Sequence, residues 1–277
     1  MIKPVSVILL FFVISCSAPK KPEGLILKVQ FQPEKTYSIT TIRGTETTVS
    51  YSGEDIAMRK LKSMHVQNPT ISKVKTKTEA ELVTGKKSEM GKIPVVLTYN
   101  KILGLDDQNE IPEGTVIKGE ITGKDLPAFN TVVSGLSGFD QKIKLLETIR
   151  KSFEQFNFPE KELNIGDEFS TDRPVSIPMQ NSTIEIIVTT TCKLTAISNH
   201  VAEFDLNQTY LMTPVMLDNT FTGKGSGQGK FTYDIANSMV TDYSLKTILD
   251  INKKLDYYQF DLKTVNEFSQ QIKPEKK

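Results

Sequence analysis

The sequence has no tryptophan, and it has only two cysteines and two histidines among its 277 residues. Because carbohydrate-binding surfaces usually use tryptophan as a platform, its absence makes a sugar-binding role less favoured. Neither sign of charge is in excess, with 34 Lys and Arg against 33 Asp and Glu. A basic excess is the electrostatic footprint of nucleic-acid binding, so neither nucleic acid nor an acidic surface is expected as a partner.

Few residues have the spacing of a catalytic or metal site. His65 and His200 each lack a second His or a Cys at metal-ligand spacing, so surface or turn positions are favoured over a zinc site. The segment from Ser134 to Gly138 does not match the GxSxG nucleophile elbow, and a valine, Val133, precedes it. We therefore expect no catalytic residues and no enzyme activity, and a hydrolase is only the third alternative for function.

Two acidic clusters could attract a cation. Residues 106–110 (DDQNE) supply oxygen ligands but lack the glycine and the distant glutamate of an EF-hand, so a solvated hairpin turn is favoured over calcium binding. Asp167 and Glu168 follow Gly166 and are expected to face water. The sequence thus predicts neither a metal site nor a cofactor.

The N-terminus carries a short apolar run. It extends from Val5 to Ile14, behind the positive charge of Lys3. About ten apolar residues are too few for a membrane-spanning helix, which needs roughly 20, and are typical of a secretory signal. We expect residues 1–15 to be a signal peptide that the mature protein lacks.

Residues Val13-Ile14-Ser15-Cys16 resemble a bacterial lipobox. The resemblance implies cleavage before Cys16 and acylation of that cysteine with diacylglycerol and palmitate, so that residues 16–24 form a lipidated anchor and linker to a membrane. Ser17, in place of an inner-membrane retention aspartate, and the absence of an acidic cluster after it favour the outer membrane and the periplasmic side. The alternative is an ordinary secreted protein in which Cys16 is incidental. A lipidated Cys16 would leave Cys192 without a disulfide partner.

Residues 25–277 have the pattern of a single β-rich domain. Apolar or β-branched residues alternate with polar ones, and a period of two predicts strands with one solvated face. The predicted strands cover residues 37–51, 71–83, 93–103, 114–123, 182–197, 200–212, 223–233 and 238–251. Residues 53–65 could be a short helix or irregular, and the first strand could bend at Gly44. Residues 156–178 are broken by prolines and are interpreted as a linking segment.

One amphipathic helix is predicted over residues 138–156. Its apolar stripe consists of Phe139, Ile143, Leu146, Ile149, Phe153 and Phe156. The opposite face has mixed charge rather than a lysine-rich character, which favours packing on a sheet over lying on a membrane surface.

Glycine occupies every second position from Gly223 to Gly229. A phosphate-binding loop needs a helix directly after its glycines, and neither a helical pattern nor GxGxxG spacing is present. We therefore predict a strand with one bare face, against which an aromatic side chain or the helix stripe packs, in a strongly curved sheet. Cys192, on the apolar face of another strand, is predicted to be a small buried hydrophobe.

The two halves of the chain, residues 25–135 and 160–265, have similar successions of strands and suggest an internal duplication around the helix. The predicted fold class is mainly β (α+β): long antiparallel strands in a strongly curved sheet or half-barrel, with one amphipathic helix packed on it. With the lipobox, this architecture resembles uncharacterised Gram-negative envelope lipoproteins. It is coarsely similar to the half-barrel lipoprotein-carrier superfamily, from which no functional residue is carried over.

The expected function is that of a non-catalytic, lipid-anchored protein of the cell envelope. Its concave sheet would bind a lipid or another hydrophobic ligand in an apolar groove. The alternative is a structural or protein-interaction module in which the same sheet holds an envelope protein partner.

Overall fold

The computed structural model describes residues 24–104, 111–123, 126–154, 158–179, 182–213, 221–254 and 257–275. These residues form one large antiparallel sheet of 11 strands that is strongly curved and does not close on itself. Two helices accompany it within these described ranges. The predicted mainly β architecture, with a curved sheet and a packed helix, is confirmed.

The strands follow one another closely along the chain. They are β1 (Leu25–Ile26), β2 (Thr36–Gly53), β3 (Thr70–Thr84), β4 (Lys92–Gly104), β5 (Val116–Thr122), β6 (Ala128–Ser134), β7 (Glu162–Leu163), β8 (Glu168–Met179), β9 (Ser182–Ser198), β10 (Val201–Thr213), β11 (Phe221–Asp234), β12 (Met239–Lys254) and β13 (Tyr258–Pro274). The helices are α1 (Asp55–Ser63), which the sequence left open, and α2 (Phe139–Glu154). The strand β2 is continuous through Gly44.

The sheet consists of two meanders joined in the middle. Its strand order is β6-β5-β4-β3-β2-β13-β12-β11-β10-β9-β8, and the small strands β1 and β7 pair separately. The first and last long strands, β2 and β13, meet along their whole length, from Tyr37 opposite Pro274 to Gly53 opposite Tyr258. Both halves of the chain therefore contribute to one sheet.

One end of the inner face is filled with apolar side chains. Leu25, Leu27, Val29 and Phe31, in the segment before β2, are all buried there. The segment is fixed by Tyr233, whose hydroxyl accepts a hydrogen bond from the backbone N–H of Lys28 (3.2 Å) and donates one to its carbonyl oxygen (2.6 Å). We call this the closed end of the sheet.

The helix α2 packs over the β6 side of the inner face, but with a different stripe from the predicted one. Phe153 lies against Phe129 and Phe31, with ring centroids 5.5 and 6.1 Å apart. Leu145, Ile149 and Phe153 are the buried residues, whereas Phe139 is 76% and Ile143 42% exposed. The apolar residues of α2 allow two overlapping stripes, and the one spaced by four residues faces the sheet. Phe156 lies outside the described residues.

The prediction of a linking segment over residues 156–178 is wrong in its second part, because residues 168–179 form strand β8. Pro174 lies opposite Ile187 and Pro178 opposite Thr183 in its ladder with β9. Since β8 is at the edge of the sheet, its prolines need not donate hydrogen bonds to a second neighbour. The prolines of this segment therefore lie within an edge strand and do not interrupt it.

The glycine-rich stretch lies in β11 and is a strand, as predicted. The four glycines share the inner face with Phe231, because they alternate with residues that point outward. A Cβ at Gly225 would lie 2.7 Å from Cγ of Tyr210, and at Gly227 it would lie 3.0 Å from side-chain carbons of Gln208 and Thr247. An aromatic ring thus covers Gly225 but not Gly227, and the stripe of α2 covers neither. We refer to residues 223–229 as the glycine lane.

Candidate functional site

The inner face is not packed solid, and one cavity lies between α2 and the sheet. It has a volume of ≈ 290 Å³ and is bounded by strands β2, β3, β4 and β13. We call it the helix-side cavity. Its lining is Ile39, Thr41, Arg43, Thr76, Thr78, Ala80, Leu97, Tyr99, Ile102, Ile111, Leu145, Thr148, Ile149, Ser152, Phe153 and Gln270. Apolar side chains and small hydroxyls therefore share this surface.

A second cavity of ≈ 330 Å³ lies on the other half of the inner face, and we call it the glycine-side cavity. It is bounded by β8, β9, β10, β11 and β12. Its lining is Phe158, Phe169, Thr171, Arg173, Val175, Val188, Thr190, Cys192, Leu206, Gln208, Tyr210, Phe231, Tyr243 and Leu245. Both cavities fall at the lower limit of the about 300–1,000 Å³ that is usual for small-molecule sites.

Acidic side chains are absent from the described lining of both cavities. Arg43 is the one charged residue in the lining of the helix-side cavity and Arg173 the one in the glycine-side cavity, as far as the described residues go. Inward-facing and outward-facing residues alternate along each strand. On the outer face, lysines form ion pairs with carboxylates, for example Lys246 with Glu267 at 2.8 Å. The described linings of the two cavities are therefore largely apolar, and each carries one arginine.

Arg43 is one of the exposed residues in the lining of the helix-side cavity, together with Thr148 of α2. The guanidinium carbon of Arg43 lies 5.5 Å from the ring centroid of Phe268, a cation–π contact. Tyr99 lines the same cavity, and burial raises the pKa of its phenol to about 12, with a smaller opposing effect of the Arg43 charge. The phenol therefore keeps its proton at neutral pH and can donate a hydrogen bond.

Gln270 lies where the two halves of the inner face meet. Its register partner on β12 is Tyr243 of the glycine-side cavity, and Gln270 itself lines the helix-side cavity. Its Nε2 donates to Oγ1 of Thr41 at 3.3 Å, whereas its buried Oε1 has no hydrogen-bond partner among the described residues. A buried acceptor without a donor is costly, by about 1–3 kcal/mol, so this amide is a point where a bound molecule would be stabilised.

The glycine lane shapes the second cavity. Because no side chain rises from Gly225 and Gly227, Tyr210 can lean across β11 towards β12. Burial raises the pKa of the Tyr210 phenol, and a hydrogen bond with Thr247 on β12 opposes that effect. Tyr210 also donates to Oε1 of Gln208 at 2.8 Å. The bare lane thus lets polar side chains from β10 form part of the cavity wall.

The prediction for Cys192 is confirmed. Its side chain is 4% exposed, and burial raises the pKa of its thiol to about 12. Since the thiolate is the reactive species, burial makes this thiol a weak nucleophile at neutral pH. Burial likewise raises the pKa of the neighbouring Tyr243 to about 12.

The other residues that the sequence singled out do not converge on the cavities. His65 follows α1 and His200 lies in the turn between β9 and β10, both with positive φ, of 59° and 63°. Ser134 donates to the carbonyl oxygen of Gly114 at 3.1 Å. Over the described ranges, no group of three His, Cys, Asp or Glu could hold a metal ion. Cys16 and residues 106–110 lie outside the described residues.

The acidic pair after Gly166 has local roles. Oδ2 of Asp167 accepts a hydrogen bond from the backbone N–H of Asn164 at 2.8 Å, and this bond lowers the pKa of the Asp167 carboxyl. Glu168 forms an ion pair with Lys193 at 3.1 Å on the surface. The pair therefore stabilises a turn and a strand end; Glu168 is exposed, as predicted, whereas Asp167 is half-buried.

Sequence comparison adds no family to this description. No protein-family profile matches the chain, and no curated protein is similar to it at a significant level. Neither helix of the described part of the chain combines the length and the apolarity that a membrane crossing requires.

Proposed function

We propose that the protein is a lipid-anchored envelope protein that holds a lipid or another hydrophobic ligand against the inner face of its curved sheet. The observation that carries the proposal is the pair of cavities on that face, of ≈ 290 and ≈ 330 Å³. Binding sites of this kind are concave and mostly apolar, with a few placed polar groups. The proposed role is to bind and retain the ligand, without chemistry.

The helix-side cavity has a built-in cover. Leu145, Ile149 and Phe153 of α2 are buried over the sheet, while Thr148 and Ser152 of the same helix line the cavity. A ligand between α2 and the sheet would be removed from water on both sides, and burial of apolar surface contributes about 25 cal/mol per Å². The proposed site is therefore suited to an acyl chain.

The proposed anchor would place the closed end of the sheet near a membrane. Gly24, where the described chain begins beside Glu162, is eight positions after Cys16. An extended chain spans at most about 3.6 Å per residue, so this linker reaches no farther than about 29 Å. The proposed membrane is the outer membrane, on its periplasmic side. The linker would hold the closed end of the sheet within about 29 Å of that membrane surface.

A structural or interaction module is the second candidate, and one observation favours it. Phe139 and Ile143, one turn apart on α2, are 76% and 42% exposed. Exposed apolar side chains that lie together mark interaction surfaces. Cross-linking in membranes tests this candidate, because a stoichiometric protein partner that Phe139→Ser and Ile143→Ser abolish would support it.

Native mass spectrometry after gentle purification tests the ligand proposal. The wild-type protein is expected to carry a bound lipid mass. Ser152→Phe, on the cavity side of α2, is expected to lose it, whereas Lys151→Phe, on the exposed side of the same helix, retains it. A wild-type protein that carries no lipid and takes none up from vesicles would contradict the proposal.

A further inference from the structure

We infer that the helix-side cavity binds one long-chain fatty acid, with the carboxylate at Arg43 and the acyl chain under α2. This inference rests on the proposed function and adds to it the chemical class of the ligand. It follows from the charge, the layout and the size of the cavity.

The charge of the cavity selects an anionic head group. Arg43 is the single charged side chain in its described lining, and no Asp or Glu lines it there. The guanidinium contacts the ring of Phe268, and no described carboxylate forms an ion pair with it. Guanidinium is the group best suited to a carboxylate, because its planar fork can donate two parallel hydrogen bonds.

The layout of the cavity matches a molecule with one polar end. Arg43 is exposed, whereas Leu97, Leu145 and Ile149 in the same lining are buried. A carboxylate at Arg43 stays partly hydrated, and its chain extends towards the buried leucines and isoleucine. The head group therefore lies at the exposed Arg43 and the chain among the buried side chains, which is the arrangement of lowest desolvation cost.

Gln270 completes the polar end. At present its Nε2 donates to Thr41 and its buried Oε1 has no described donor. A half-turn of the amide would let the Thr41 hydroxyl donate to Oε1 and would direct the amide NH₂ into the cavity, where a carboxylate can accept from it. In this orientation Thr41 satisfies the Oε1 acceptor, and the ligand carboxylate would accept from the amide NH₂ and neutralise Arg43.

The size of the cavity favours a single chain. A volume of ≈ 290 Å³ is at the bottom of the range for ligand sites. Two acyl chains with a glycerol backbone would need more room than α2 leaves over the sheet. We therefore assign the site to a free fatty acid rather than to an anionic phospholipid.

The test compares two probes that share a chain and differ in the head group. Palmitate and hexadecanol are titrated into the full chain, purified in detergent and stripped of lipid, with binding followed by native mass spectrometry. Palmitate is expected to bind the wild-type protein at least about tenfold more tightly than hexadecanol, because hexadecanol cannot form the charge-assisted hydrogen bond with Arg43. Arg43→Gln should remove this preference and leave hexadecanol binding unchanged.

Two further variants make the result specific. Arg43→Lys keeps the charge without the fork and should retain only part of the preference for palmitate. Arg59→Gln removes the same charge from α1, where Arg59 is exposed and lines neither cavity, and should bind palmitate like the wild type. Melting curves establish that each variant is folded.

The outcomes separate this inference from the proposed function. Equal binding of both probes, unaffected by Arg43→Gln, would overturn the fatty-acid assignment while the proposed lipid binding stands. Binding of phosphatidylglycerol from vesicles with no binding of palmitate would also overturn it. If neither probe binds and no lipid co-purifies, the proposed function itself fails.

Discussion

Replacing Gly227 by valine is expected to destabilise the protein, because the glycine lane has no room for a side chain. A Cβ there would lie 3.0 Å from Cβ of Gln208 and 3.0 Å from Cγ2 of Thr247, closer than ordinary van der Waals contact. Valine adds two methyl groups to that Cβ. Both neighbours are side chains of adjacent strands, so they must shift or the strands must separate.

The magnitude follows from the cost of overpacking. Inserting bulk into a packed site typically costs about 1–3 kcal/mol. A protein of this size loses about 2–4 °C in Tm per kcal/mol, so the expected decrease is about 2–12 °C. A Cβ at Gly229 would instead meet the backbone oxygen of Ser244, which cannot rotate away. Gly229→Ala should therefore be at least as destabilising, although it adds a single methyl group.

Gly44 provides the matched control. It is also a glycine in the middle of a long strand, but the nearest atom to its added Cβ, Cβ of Glu267, is 3.8 Å away. Gly44→Val should leave the Tm unchanged or raise it, since valine favours strands and restricts the unfolded chain. Thermal melts followed by circular dichroism compare the three variants. A Gly227→Val protein that melts at or above the wild-type temperature would refute the packing of the lane.

Three more predictions concern single side chains. Cys16→Ser should move the protein from the membrane fraction to the soluble fraction or leave its signal uncut, as seen by fractionation and intact mass; unchanged processing and anchoring would show that the lipobox assignment is wrong. Cys192 should resist alkylation at neutral pH until the protein unfolds, because burial raises its pKa to about 12; rapid labelling of the folded protein by iodoacetamide would contradict this. Phe153→Ala should cost about 3–5 kcal/mol in chemical denaturation, whereas Phe139→Ala, 76% exposed, should cost little; equal losses would mean that α2 packs with the stripe predicted from the sequence.

The strands could be predicted where β-branched and apolar residues alternate. Residues 182–197 and 200–212 are examples, and their inward faces are those expected from the period of two. The strand β13 was missed because its inner face carries Thr264, Asn266 and Gln270 between apolar residues, so that the contrast between its faces is weak. The sequence does not predict β8, because proline usually interrupts a strand, although an edge strand tolerates it.

The candidate site was less predictable than the fold. A curved sheet could be inferred from the glycines, but the lining of a cavity depends on which strands are neighbours. The pairing of β2 with β13 joins residues more than 200 positions apart. One local signal was present: Arg43 occupies an inward position between Thr41 and Thr45, where the alternation calls for an uncharged residue. A charge on the wrong face of a strand is a useful marker of a site.

The pairing of β2 with β13 also governs how the sheet can be assembled and divided. Each meander can form from neighbours in sequence, but the seam between them cannot close until the final strand has been synthesised and released. Such non-local pairing slows folding, and it leaves two long unpaired edges exposed in the meantime. Deletion of residues 258–274 would therefore split the sheet through its centre rather than trim its border. Both edges of the unclosed seam would need protection from aggregation until β13 has paired with β2.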